Sequence, residues 1–214
     1  MKAVVGVVLA MALASAGWLG WDRYKSNEET AAAEQAVRAS ATLATRQLSA
    51  REKEEGITFS EYFKRSNATI EALDQEIIRL QSKDWPRRPE NREVSVAFIN
   101  ECMSYLRADQ AEMRLKLQES NSQESVDKAK KELGEADSSV AIDWAKKRFV
   151  SATQDHIALL DKLIKALQEN TVRVNKLLEA DSSVKSVFGA TAGLPEPMLK
   201  SLKDRISDSP TSQS

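Results

Sequence analysis

Imidazole and thiol, the side chains that most readily hold transition metals or move protons near neutral pH, are almost absent from this sequence. Among 214 residues there is one histidine, His156, and one cysteine, Cys102. A carboxylate-bridged di-iron bundle needs Glu-x-x-His on each of two helices, and the residue three before His156 is Thr153, so that chemistry is excluded. One histidine and one cysteine also make no ordinary structural zinc site. The seven glycines are too scattered for a phosphate loop or a nucleophile elbow. What remains is an axial pair. If two long antiparallel helices meet about a joint at residues 119–137, His156 falls near Ile99 to Met103, and His156 with Met103 would hold a haem iron in a helical bundle. The plainer reading is adopted. A lone histidine on an apolar seam is ordinarily a satisfied core residue, Met103 reads equally well as core, and Cys102 reads as a small buried hydrophobe. No catalytic residue, cofactor or metal is expected, and the chain is not read as an enzyme.

A second group of residues points to a surface rather than a reaction. Trp18, Trp21, Arg23, Tyr24 and Lys25 close an uncharged apolar run that begins at Ala3. As a helix, Ala3 to Trp21 reaches roughly 28 Å, close to the hydrocarbon thickness of a bilayer, and an aromatic belt followed by cations marks the membrane–water boundary. Trp85-Pro86-Arg87-Arg88-Pro89 reads first as a linker, but it carries the same chemistry 60 residues on. A helix leaving the membrane and a second of similar length returning would bring Trp85, Arg87 and Arg88 back beside Trp21 and Lys25, at headgroup level.

Residues 1–21 admit two readings, and both send the chain into the export pathway. The preferred one is an uncleaved anchor, because apolar character persists to the aromatic belt. The alternative is a signal peptide cut after Ala14-Ser15-Ala16, between Ala16 and Gly17. Lys2 is rivalled by Arg23 and Lys25 under the positive-inside rule, but a large body behind a two-residue head argues for export of the body.

Beyond this run the signs of charge are balanced, 31 Lys and Arg against 32 Asp and Glu, and they are mixed along the chain. No basic field exists to attract nucleic acid, so no nucleic-acid partner is expected. Glycine and proline are confined to a few points. The long stretches between them are rich in Ala, Leu, Glu, Lys and Gln, which is helix composition with its breakers at the joints.

Four segments follow. Segment A, residues 26–55, opens on a Ser26/Glu29 capping box and carries a weak seam of Val37, Ala41, Ala44 and Leu48. Segment B, 58–84, opens after Gly56 on a Thr58/Glu61 capping box and an Ile57/Tyr62 staple, with the seam Phe59, Phe63, Ser66, Ile70, Leu73, Ile77, Leu80. Segment C, 90–118, has a wider stripe around Val96, Ile99, Met103, Leu106, Gln110, Met113 and Leu117. A polar joint then leads to a short helix, 124–133, stopped by Gly134. Segment D, 138–180, carries Ile142 through Leu177 and would be roughly 64 Å long, so it overhangs the bundle or bends near Ser151 to Thr153. The hexapeptide Glu-Ala-Asp-Ser-Ser-Val stands at 135–140 and again at 179–184, and both copies read as helix joints. Residues 189–214 read as a flexible tail with a short amphipathic helix at 195–206.

The expectation is an all-α protein: a single membrane helix followed by an elongated antiparallel bundle or coiled coil of three to four long helices spanning 22–188. Ser66, Gln110, His156 and Asn170 interrupt its seams, where polar residues can set register or partner choice. Such a chain is expected to be a single-pass protein of a bacterial inner membrane, its body in the periplasm. It would serve as a structural or interaction module that binds another protein, or further copies of itself, through helical seams. The alternative is a soluble periplasmic binding or chaperone-like bundle released at Ala16/Gly17.

Overall fold

The computed structural model describes residues 2–53 and 57–207, with side chains over 21–50 and 57–207. Every element among the described residues is an α-helix: α1 Lys2–Lys53, α2 Phe59–Gln81, α3 Pro89–Glu135, α4 Ser139–Phe188 and α5 Glu196–Ser207. Gly56, the end of segment A and the last residues of the tail lie outside the described residues. The same holds for the side chains of the leading run to Gly20, Trp18 included. Among the described residues no helix is long and apolar enough to cross a membrane. The chain forms two units, Met1–Met103 with Leu178–Met198, and Ser104–Leu177 with Leu199–Ser214.

In the first unit α1 runs unbroken through the expected helix start at Ser26. The Ser26 carbonyl accepts the Thr30 hydroxyl (3.0 Å), as a residue inside a helix does, so the Ser26/Glu29 capping box is not formed. The weak seam is nevertheless the buried one: Val37, Ala41, Ala44 and Leu48 are all in the core, together with Ala33 and Ala36. Small residues let neighbouring backbones approach closely, so a stripe of alanines packs as well as one of leucines.

Helix α2 begins where its cap places it. Thr58 is extended (φ −73°, ψ 153°) and its hydroxyl accepts the Glu61 N–H, while its carbonyl accepts the Tyr62 N–H at 2.9 Å. Only half of the expected capping box forms, because the Glu61 carboxylate pairs with Arg65 at 2.6 Å instead of turning back. The seam also starts on a different residue. Tyr62 is buried and Phe59 is exposed; from Ser66 onward the buried positions Leu73, Ile77 and Leu80 follow the expected spacing. The helix ends at Gln81, three residues before its expected end, and the Trp85 indole N–H donates to the freed Leu80 carbonyl at 2.7 Å.

Pro89 opens α3 at the first helical position, where a missing N–H costs nothing. Packed against α1, Asn91 Nδ2 donates to Thr30 Oγ1 (3.0 Å), and Ser95 Oγ lies 3.4 Å from the Ala33 carbonyl. These pairs advance together, so α1 and α3 run parallel, with α2 antiparallel between them in sequence. Cys102 is fully buried here. Burial pushes its thiol well above the ordinary range, and the Asp181 and Glu101 carboxylates push the same way.

The polar joint expected at 119–123 is helix. No glycine or proline stands there, and Ser and Asn cost only about half a kcal/mol each in a helix. The second unit shows what offsets that cost: α3 continues to Glu135 and α4 turns back along it. Glu132 pairs with Arg148 (2.8 Å), Glu119 faces His156 (3.9 Å), and Asn170 Nδ2 donates to the buried Glu112 carboxylate (2.5 Å). The turn is the first hexapeptide. Ser138 caps α4, its hydroxyl accepting the Ala141 N–H (3.2 Å) and its carbonyl the Ile142 N–H (2.8 Å). The short helix expected at 124–133 is therefore the end of α3, and Gly134 lies in its last turn. No break occurs near Thr153, whose hydroxyl simply returns to the Phe149 carbonyl.

The second hexapeptide lies inside α4, which extends eight residues beyond its expected end. It stops at Gly189, whose φ of +95° is the left-handed position that closes a helix, with its N–H on the Lys185 carbonyl (2.9 Å). The following residues are no loose tail. Buried Asp181 accepts the Leu194 N–H (2.6 Å) and pairs with Lys185 (2.8 Å), while Lys185 also donates to the Leu194 carbonyl (2.9 Å). Ala192, Leu194 and Met198 are buried in the first unit, and Leu199 and Leu202 in the second, where Arg205 reaches Tyr105 and Asp109.

Gly193 passes so close to Asp181 that a Cβ there would overlap the carboxylate. Gly193→Ala is expected to cost about 2–4 kcal/mol by forcing apart a buried, hydrogen-bonded ion pair. Gly134→Ala, which meets nothing within 4 Å in a helical backbone, should be neutral or slightly stabilising. Thermal melts of the two variants check this; equal melting temperatures would show that the clasp at Asp181 contributes nothing.

Candidate functional site

The corner where the α2–α3 joint meets α1 is where the expected surface residues converge. All of it lies in the first unit. It is built by two prolines and one carboxylate. Pro86 and Pro89 keep residues 85–88 out of helix. Held in that conformation, the backbone N–H groups of Arg87 and Arg88 both point at Glu29 Oε2, at 3.2 and 2.7 Å. Glu29 is a half-buried acceptor on α1 that satisfies two loop donors at once.

The side chains then divide. Arg87 Nε donates to Asp22 Oδ1 at 2.6 Å and is largely covered. Arg88 Nε donates to Ser26 Oγ at 2.8 Å, with its outer nitrogen 3.4 Å from Glu90; it stays half exposed. On the outer face of α1 the Trp21 and Tyr24 rings stack with centroids 6.0 Å apart, 57% and 60% exposed. Lys25 Nζ lies 5.3 Å from the Trp21 ring centroid and 5.9 Å from that of Tyr24, and its ammonium contacts Glu28 at 2.7 Å. That hydrogen bond raises the Lys25 pKa and lowers that of Glu28. Arg23 is exposed beside them. A shallow cavity of about 290 Å³ lies between Trp21, Lys25, Glu29, Trp85 and Arg87.

The expected set is thus brought together in part. Arg87 and Arg88 do return to the stretch that holds Trp21, Arg23, Tyr24 and Lys25. Trp85 does not share their role: it is 6% exposed and caps α2 from inside the core. Of the α1 groups that hold the joint, Asp22 carried no signal in the sequence, and Ser26 and Glu29 read only as a capping box. Glu29 carried a signal of a different kind, as the acid of a capping box, because a carboxylate three residues after a serine looks the same whether it caps its own helix or receives a neighbouring loop.

The axial pair is not formed. Met103 is buried in the first unit, whereas His156 in the second faces Glu119, sixteen residues further along α3. Turning at Ala136 to Ser138 rather than from Glu119 onward slides the register of α4 against α3 by that much. Of the other polar seam residues, Asn170 pairs with Glu112, while Ser66 is buried with an unpartnered hydroxyl. Nothing matches this chain among protein-family models, curated proteins or solved structures.

Two outcomes are expected. Glu29→Ala strands two loop donors and should cost about 1–2 kcal/mol, read as a lower urea midpoint, and Glu29→Gln, which keeps an acceptor oxygen, should cost less. Cys102 should alkylate at pH 8 at least about a thousandfold slower in the folded protein than in urea, since only opening exposes it and forms the thiolate. Labelling at comparable rates would mean that the first unit's core is not closed around it.

Proposed function

We propose that this chain is a membrane-tethered helical module that works through protein–protein contact rather than catalysis. In this reading residues 1–21 hold it in a bacterial inner membrane and the helical body stands in the periplasm. The observation that carries it is the corner. The joint that returns to α1 does so within eight residues of the end of the apolar run, where exposed Trp21, Arg23, Tyr24 and Arg88, with half-buried Lys25, are of the residue types that suit a headgroup layer. The contact role rests on the second unit, whose α4 leaves Val140, Trp144, Val150, Ile157 and Ile164 exposed, each about half or more of its surface. The single histidine and single cysteine, with no nucleophile or phosphate-loop motif in the sequence, support a role without catalysis.

Fractionation of cells expressing the whole chain tests the tether. The expected result is an intact amino terminus in the membrane fraction, with the body cut by protease added to spheroplasts. A terminus at Gly17 in the soluble periplasm would replace the tether with the released bundle. With the tether established, Tyr24→Ser, Arg23→Ser and Arg88→Ser together should leave the protein folded but shift the emission of an environment-sensitive fluorophore, attached through Trp21→Cys, towards its aqueous maximum in vesicles. An unchanged spectrum would remove these residues from the headgroup layer.

A further inference from the structure

The shallow cavity at the corner of the first unit is lined by as many acids as cations. Lys25, Lys83 and Arg87 share its walls with Glu28, Glu29 and Asp84, and the volume they enclose is about 290 Å³. A patch that recruits anionic lipid is an excess of Lys and Arg. Here the acids cancel that excess.

Several of these groups are not used up by the fold. Arg87 is fixed by its backbone N–H on Glu29 and its Nε on Asp22, at 3.2 and 2.6 Å. Its two terminal nitrogens make no hydrogen bond among the described residues, and the side chain is 25% exposed. A guanidinium held in this way offers a preset pair of donors to a phosphate. Lys83 and Asp84, both exposed on the rim, make no hydrogen bond or ion pair among the described residues. The Glu28 pKa, lowered first by the hydrogen bond from Lys25, is lowered further by Lys83, so this second cation lies within electrostatic reach of a carboxylate.

Donors for an anion beside acceptors for a cation, with no net charge between them, are the complement of a zwitterion. The kind of cation follows from the aromatic rings. A quaternary ammonium is held by open ring faces, but here Lys25 Nζ already lies 5.3 Å from the Trp21 centroid and 5.9 Å from that of Tyr24. What remains is carboxylate oxygen, which calls for N–H donors. We propose that the cavity binds a lipid headgroup made of a phosphodiester and a primary ammonium, with Arg87 and Lys83 on the phosphate and Asp84 and Glu28 on the ammonium. The proposal rests on the tethered reading, which brings the cavity to the headgroup layer, and it names the class of lipid held there. Trp21 both ends the apolar run and lines the cavity, so a headgroup bound at this place keeps its acyl chains beside that run.

The test purifies the full chain from mixed micelles holding equal amounts of dioleoyl phosphatidylethanolamine, phosphatidylcholine and phosphatidylglycerol, and identifies the retained lipids by mass spectrometry. The ethanolamine lipid should be enriched at least about fivefold over each of the others. Lys83→Gln and Asp84→Asn, exposed changes, should keep the helical circular dichroism and each lower that ratio at least about threefold. Asp84→Lys should turn the preference towards the glycerol lipid. Equal retention of the three lipids, a glycerol-lipid preference in the unaltered chain, or variants that keep the full enrichment would each overturn the site. Soluble glycerophosphoethanolamine at equal concentration should displace little lipid, because acyl chains held around the leading run keep the headgroup at high effective concentration. Complete displacement would overturn the lipid as the ligand. Fractionation keeps the two levels apart: an intact chain in the membrane with no lipid preference removes the cavity site alone, whereas a terminus at Gly17 removes the tether and the lipid with it.

Discussion

A helical hairpin has one decisive parameter, the place where the chain turns. Once that is set, every pairing along both helices follows, because the two rise at the same 1.5 Å per residue. Here the turn is three residues, Ala136 to Ser138, closed by the Ser138 cap. The meeting of Glu119 with His156, of Glu112 with Asn170 and of Glu132 with Arg148 are consequences of it. So is the face of α4 that α3 leaves uncovered.

The first unit depends on carboxylates instead. Glu29 gathers two backbone donors from the α2–α3 joint, and Asp181 gathers a backbone donor from beyond the end of α4 together with the Lys185 ammonium one turn along its own helix. Each is an acceptor placed on a rigid helix to hold a segment that cannot be helical itself. Buried acids are costly to leave unpaired, so these contacts are specific about their partners in a way that alanine packing is not.

Much of this was legible in the sequence. Helix composition with breakers at the joints foretold an all-helical chain, and the four-three spacing found the buried face of α1, alanines between Val37 and Leu48, and that of α2 from Ser66 onward. Thr58 located the start of α2 to the residue. The return of Arg87 and Arg88 to the start of the body followed from the lengths of the helices alone. What misled was local chemistry with two solutions. A hydroxyl residue followed three later by Glu caps a helix at Thr58 but lies inside one at Ser26, and identical hexapeptides turn the chain at 135–140 and remain helix at 179–184. In each pair the deciding partners lie outside a local window: Arg88 and the loop amides for Ser26 and Glu29, Leu194 for Asp181. The misplaced turn at 119 then carried His156 to the wrong neighbour.

The continuity of α1 has a mechanical meaning. A helix resists bending and twisting because each turn is cross-linked to the next by its hydrogen bonds, and hinges form where that ladder is interrupted. From Lys2 to Lys53 no proline stands in α1, and the corner at Glu29 clamps the helix from the side. A rotation or tilt imposed on its leading turns is therefore transmitted as torque into the first unit's core, with Ala33, Ala36 and Val37 as the gear teeth, rather than absorbed at a swivel.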